Sequence, residues 1–291
     1  MTTAPQNAVE IRNLTKKYKE FTLDNVSFTV PMGSIVGLIG ENGAGKSTTL
    51  RCLLNLCSYD GGEVSVLGLD AVADEQAIKE DVGVVLDECS FHDQLTAVQV
   101  GKILSHVYQK WDKNLYADYL SKFDLPKNLF LKQFSRGMKM KLSIAAALSH
   151  HPRLLILDEA TGGLDPVVRD EILDVFLEFI QDEAHAILVS SHITSDLEKI
   201  ADYVVYLHKG KVTLSGEKNE LLADHGRIAG SRAQLDDIPA SYILGRRDGQ
   251  FGCEALIRHR QEFHREFPQI EIDKVTLDEL MVFTVKGDKK P

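Results

Sequence analysis

The chain of 291 residues carries 33 Lys+Arg against 43 Asp+Glu, a formal net charge of −10, so it lacks the basic excess with which nucleic-acid binders neutralise phosphates. Its apolar runs, such as residues 34–39 and 184–189, fall far short of the roughly 18–20 residues that cross a bilayer. No charged, apolar, small-residue succession opens it as a secretory leader would, and with 44% hydrophobic residues it is expected to be a cytoplasmic globular chain.

In chain order, Val9-Glu10-Ile11 starts a β region, Phe21 to Val30 alternates, Pro31-Met32-Gly33 turns, and residues 34–39 form a continuous buried strand. A helix is expected over Lys46–Cys57, with Leu50, Leu53, Leu54 and Cys57 on one face. Cys52 and Cys57 share that expected helix. Neither they nor Cys89 and Cys253 have the spacing of a zinc site, so all four read as small apolar residues in a reducing compartment. Val82–Leu86 is a further short strand. From about 96 to 150 the pattern turns helical, with an apolar stripe of Val100, Ile103, Leu104 and Val107, a second helix around Tyr119, Leu120 and Phe123, and a third after Ser135. Strands return at Leu154–Leu157, Ile187–Ser190 and Tyr203–Leu207. Between the first two lies a helix capped by Asp165 with Pro166 in its first turn and a core stripe of Ile172, Leu173, Phe176, Leu177 and Ile180.

Strands alternating with helices give an α/β class with a mostly parallel sheet. The expected domains are 1–221, holding a helical insert at about 88–150, and a small accessory region at 222–291.

The sharpest motif is Gly40-Glu41-Asn42-Gly43-Ala44-Gly45-Lys46-Ser47, a G-x-x-x-x-G-K-[ST] match between a buried strand and a helix. Its glycines permit the positive φ angles that aim successive N–H groups at phosphate oxygens. Lys46 supplies a point charge, the Ser47 hydroxyl suits Mg²⁺, and Thr48 is placed to bond the α-phosphate side. Leu154–Leu157 ends in Asp158-Glu159 and delivers two carboxylates to the carboxyl edge of the sheet, where open α/β folds bind ligands. Asp158 is placed to hold Mg²⁺ and Glu159 to polarise an attacking water as general base.

Together with Phe134-Ser135-Arg136-Gly137-Met138 ahead of the acids, this arrangement resembles the nucleotide-binding domain of the ABC transporter family. The five residues are similar to the signature Leu-Ser-Gly-Gly-Gln. The resemblance implies a P-loop NTPase core with an N-terminal β subdomain, a helical insert and a C-terminal α+β region. It further implies that ATP and Mg²⁺ are sandwiched between two copies, or between one copy and a related ATPase subunit. Ser135 and Gly137 would then bind the γ-phosphate held by the opposite chain. Arg136 and Met138 depart from the consensus; Arg136 is left to reach either a phosphate or solvent.

Ala160-Thr161-Gly162-Gly163-Leu164-Asp165 is similar to the family's D-loop, with Asp165 facing the partner. By the same resemblance His192 is the switch histidine, Tyr18 the adenine-stacking aromatic, and Asp87 stands where the family carries a Mg²⁺-contacting glutamine, so its carboxylate is expected to bind Mg²⁺ directly or through water. The resemblance covers roughly residues 8–220. Residues 275–284 resemble the tail of exporter subunits that serve small permeases for peptides, antibiotics or phenol-soluble modulins. It therefore implies an ATP-hydrolysing exporter subunit at the cytoplasmic face of the plasma membrane, bound to an integral permease near Asp87–Phe91. Two alternatives stay open, a drug-sensing complex without transport and a non-transport ABC protein acting on ribosomes or DNA. The single phosphate loop, the absence of a long coiled coil and the acidic charge weigh against the last, and no nucleic acid is expected.

Overall fold

The computed structural model describes residues 6–249 and 252–286. Strands β1 (Asn7–Lys17) and β2 (Thr22–Pro31) pair antiparallel. The alternation that the sequence shows becomes a one-sided sheet, with Leu23, Val26, Phe28 and Val30 buried and their neighbours outward. Strand β3 (Ile35–Ile39) is buried at every position, as expected for an interior parallel strand. It leads through the glycine loop into α1 (Lys46–Leu53).

That helix is shorter than the sequence pattern suggested. Asn55 adopts φ +52, and the amides of Leu56 and Cys57 turn back to the Arg51 carbonyl at 2.8 and 3.4 Å, a left-handed termination for which Asn is suited. Cys57 therefore lies beyond the helix, although its Sγ is 3.4 Å from that of Cys52. Burial pushes the Cys52 thiol up to about 12, which keeps it an inert apolar group at neutral pH.

Residues 58–81, which sequence patterning left unassigned, hold β4 (Gly61–Val66), β5 (Leu69–Asp70) and α2 (Glu75–Asp81). Left-handed turns at Gly62, Leu67 and Gly68 break the segment into pieces too short for periodicity to register. They complete an antiparallel sheet of order β2-β1-β4-β5.

After β6 (Val82–Val85) come α3 (Ala97–Leu104), opened by a Thr96/Gln99 capping box, then α4 (Lys113–Lys122) and α5 (Arg136–Leu148). The apolar stripe expected on α3 does not form the packing face. Val100 is buried, but Ile103 is 48% and Val107 60% exposed. The packing face is set instead by Gly101, where a Cβ would lie 2.4 Å from the Tyr116 ring, and by Ala97, whose carbonyl accepts the Tyr116 hydroxyl at 2.8 Å.

The chain then returns to the central sheet through β7 (Leu154–Asp158), α6 (Pro166–Phe179), β8 (Ala186–Ser191), α7 (Thr194–Ile200), β9 (Tyr203–His208) and β10 (Lys211–Glu217). The sheet order is β10-β9-β3-β8-β7-β6, parallel except for β10. Asp165 caps α6 by accepting from the Val168 amide at 3.1 Å, and Pro166 opens the first turn. On α6, Ile172, Leu173 and Phe176 are buried as expected, whereas Leu177 is 38% exposed and Val175 takes the core position. The buried stripe therefore runs 172, 173, 175, 176.

Helix α8 (Lys218–Asp224) spans the point at which the sequence suggested a boundary. Beyond it, β11 (Gly226–Gly230), α9 (Arg232–Asp236), β12 (Ile243–Gly249), β13 (Gly252–Ile257) and α10 (Arg260–Glu266) build an antiparallel sheet of order β11-β13-β12. It has its own core of Ile228, Leu235, Ile257 and Phe263. Helix α11 (Leu277–Lys286) turns back to the main core through Leu277, Leu280 and Phe283. The Tyr206 hydroxyl donates to the Leu277 carbonyl, and the Leu277 amide donates to Glu198 at 2.6 Å. Among the described residues no helix is long and apolar enough to cross a membrane.

Candidate active site

The carboxyl ends of β3, β7 and β8 meet at one edge of the central sheet, and the loops leaving them border a cavity of about 850 Å³. From β3 comes the glycine loop. Gly43 and Gly45 take φ +82 and +113, angles that side chains resist. A Cβ on Gly45 would stand 2.6 Å from Leu23 and 2.8 Å from Phe21, so glycine is demanded twice over there. Gly40 packs under the Leu207 carbonyl, where a Cβ would come within 2.4 Å. Asn42, Gly43, Gly45, Lys46, Ser47 and Thr48 all line the cavity.

The Lys46 side chain is only 6% exposed. Its Nζ donates to the Gly40 carbonyl at 2.8 Å and lies 3.2 Å from Glu159 Oε1. A buried ammonium held this way is already oriented for anions in the loop. Ser47 Oγ donates to Asp158 Oδ1 at 3.2 Å, and Ser190 Oγ donates to the same oxygen at 2.5 Å. The hydroxyl of Ser47 and the buried carboxylate of Asp158 form a hard-oxygen pair at the mouth of the phosphate loop. That donor set fits Mg²⁺, which takes one or two protein oxygens and completes its shell with phosphates and waters. Among the described residues no group of three or more His, Cys, Asp or Glu gathers as a metal cage.

Glu159 follows on with φ +53, in the left-handed region that non-glycine residues seldom adopt. Its amide is tied to the Ser190 carbonyl at 3.1 Å and to Ser190 Oγ at 3.2 Å. This turn separates the two acids, leaving Asp158 against Ser47 and sending Glu159 into the cavity. Glu159 Oε2 meets His192 Nδ1 at 2.6 Å. A carboxylate, an imidazole and an ammonium thus converge on one space, an arrangement able to orient and polarise a water beside a phosphate.

Asp87, in the loop after β6, and Arg136, the first residue of α5, also line the cavity. Arg136 Nη2 donates to Asp87 Oδ1 at 2.6 Å. The remaining candidates lie outside it. Ser135 caps α5, accepting from the Met138 amide at 3.2 Å. Gly137 abuts Val168 of α6, where a Cβ would approach to 3.3 Å, and Met138 packs against the core. Asp165 is exposed at the start of α6.

Tyr18 is 48% exposed beneath Lys16 and does not border the cavity; Phe21 and Glu20 do. Glu20, Phe21 and Ser190 are contributors that the sequence reading missed. The signal for Ser190 was its place at the end of a buried strand beside the acid-bearing one. Phe21 had none, since its position depends on the β1–β2 hairpin, where the Tyr18 amide bonds the Phe21 carbonyl at 2.8 Å.

Comparison with known proteins agrees with this geometry. Residues 23–162 match the ABC transporter family. The bacitracin transport ATP-binding protein BcrA of Enterococcus faecalis is 34% identical over 216 residues, covering 73% of this chain and 70% of that protein. The lantibiotic transport ATP-binding protein SrtF of Streptococcus pyogenes is 34% identical over 212 residues, covering 72% of this chain and 90% of the relative. A solved ATP-binding subunit of an ABC transporter superposes with a TM-score of 0.66 at 28% identity, covering 73% of this chain and 91% of its own. With the phosphate loop, the paired acids and the histidine on one sheet edge, the chain belongs to the ABC transporter family as one of its ATP-binding, ATP-hydrolysing subunits.

Proposed function

We propose that the chain is the motor of an exporter whose membrane-spanning part is a separate permease, and that two copies bind head-to-tail around two ATP molecules. The observation that carries the motor reading is the convergence of Lys46, Glu159 and His192 on the cavity of the phosphate loop. The exporter reading draws on the names of its relatives, which transport bacitracin and lantibiotics.

Each side chain has a task in this cycle. The loop amides and Lys46 bind the β- and γ-phosphates, while Ser47 and Asp158 would hold Mg²⁺. The ion, when bound, draws charge from the phosphate oxygens. Lys46 passes from Glu159 to the phosphate as ATP arrives, which frees Glu159 Oε1 to accept a proton from water. His192 holds the other carboxylate oxygen and fixes its direction.

Ser135, Gly137 and Asp165 stand apart from this cavity, at or near the surface, where a second chain can meet them. Ser135 and the dipole of α5 would then add contacts to the partner's γ-phosphate. ATP favours the closed dimer only through such differential contacts.

The permease is assigned to a neighbouring cavity of about 610 Å³, bordered by Asp87, Glu88 and the half-buried Phe91, at the junction of the sheet and the helical insert. Residues 222–291 are proposed as an accessory region, tied to the motor through α11.

Affinity purification of the Glu159→Gln chain from detergent-solubilised native membranes with ATP and Mg²⁺ tests the assembly. A multi-span membrane protein in stoichiometric yield is the expected result. Recovery of ribosomal or DNA-bound proteins without a permease would overturn the transporter reading.

A further inference from the structure

The signature and the loop after β6 depart from the family pattern at one position each that carries charge, and in the fold these two positions touch. Arg136 Nη2 lies 2.6 Å from Asp87 Oδ1. The same guanidinium lies over Gly163, where a Cβ would be 3.2 Å from Nη1 and 3.3 Å from Cζ. Gly163 has φ +66, so glycine serves there both the turn and the approach of the arginine. One turn further along α5, Lys139 Nζ pairs with Asp93 Oδ1 at 2.6 Å. The loop 86–95 is thus stitched to the start of α5 by two ion pairs, and only the first also touches the residues that follow Glu159.

We propose that Asp87 serves Arg136 rather than Mg²⁺, and that the pair is a positioning device tying the signature loop to the Gly162-Gly163 turn. The inference rests on the ATPase-dimer reading above. Its physical basis is competition for one carboxylate. A guanidinium at hydrogen-bond distance satisfies Asp87 and offsets its charge, which lowers its value to a divalent cation, whereas Asp158 accepts from two neutral hydroxyls. Arg136 in turn gains a fixed direction across the turn that carries Asp165 toward a second chain. The pair sets the relative placement of the two surfaces that a head-to-tail partner must meet together. Both side chains are about half exposed, so the effect of losing the pair is modest and depends on salt.

The test uses the full chain with Glu159→Gln as background, to which Asp87→Asn, Arg136→Gln or both are added. Light scattering reads the ATP concentration at half-maximal dimer under saturating Mg²⁺, then the Mg²⁺ concentration at half-maximal dimer under saturating ATP. Each single change is expected to raise the ATP midpoint about 3- to 5-fold. The double change should be no worse than the worse single, as for two residues acting through one contact. The Mg²⁺ midpoint should stay within about twofold in Asp87→Asn, while Asp158→Asn, the positive control, should raise it tenfold or more.

A tenfold rise in the Mg²⁺ midpoint for Asp87→Asn would overturn the proposal and make Asp87 a metal ligand. Additive effects in the double variant, or no shift in either single variant, would overturn it equally. Failure of the Glu159→Gln background itself to dimerise with ATP would instead reject the dimer reading on which the proposal stands.

Discussion

Lys46→Ala is expected to weaken ATP binding about 10- to 100-fold, the effect of losing charged hydrogen bonds of about 1.5–3 kcal/mol. The site is prepared for the phosphates before ATP arrives. Lys46 is almost fully buried, anchored to the Gly40 carbonyl, and faces Glu159 across the cavity, so its ammonium reaches the phosphates with little loss of side-chain freedom. Removing it also leaves Glu159 with His192 as its remaining basic partner, which adds carboxylate repulsion against the incoming phosphates. Calorimetric titration with ATP gives the affinity, and a thermal melt of the variant checks that the fold is kept. Unchanged affinity in a folded variant would contradict the assignment of the phosphate loop.

Glu159→Gln should lower turnover about 10²- to 10⁴-fold, the usual contribution of a positioned general base, while ATP affinity changes by no more than about threefold. The amide keeps the shape and the contact with His192, but it cannot take a proton. The left-handed turn at Glu159 is held by Ser190 through the main chain, so the substitution leaves the backbone undisturbed. Single-turnover hydrolysis measured beside nucleotide binding separates the two effects. Turnover within about threefold of wild type would remove Glu159 from the role of base.

The parts of this site that the sequence made legible are those whose chemistry dictates residue type at fixed spacing. Gly43 and Gly45 were readable because both take positive φ angles that side chains resist, and at Gly45 Leu23 and Phe21 also leave no room for a Cβ. Asp165 and Pro166 were readable because a helix start needs an acceptor and tolerates a missing donor.

What escaped is what depends on the fold bringing distant pieces together. Phe21 enters the cavity through a hairpin, and Ser190 reaches Asp158 and the Glu159 amide through strand order. Asp87 and Arg136 were each recognised as a departure from the family pattern, but their pairing appears only when loop 86–95 is laid against α5. Segment 58–81 was illegible for a different reason: its elements are short and broken by left-handed residues. The misassigned stripe on α3 shows tertiary override, because Gly101 and Tyr116 turn the helix to a face that hydrophobicity alone does not select.

The central claim, that two chains together make the active site, is tested most directly by the specific ATPase activity of the purified chain as a function of its own concentration, with ATP and Mg²⁺ saturating. Composite sites predict that activity per chain rises with concentration and levels off once the dimer is filled. Constant activity per chain down to concentrations at which light scattering finds only monomer would contradict the account.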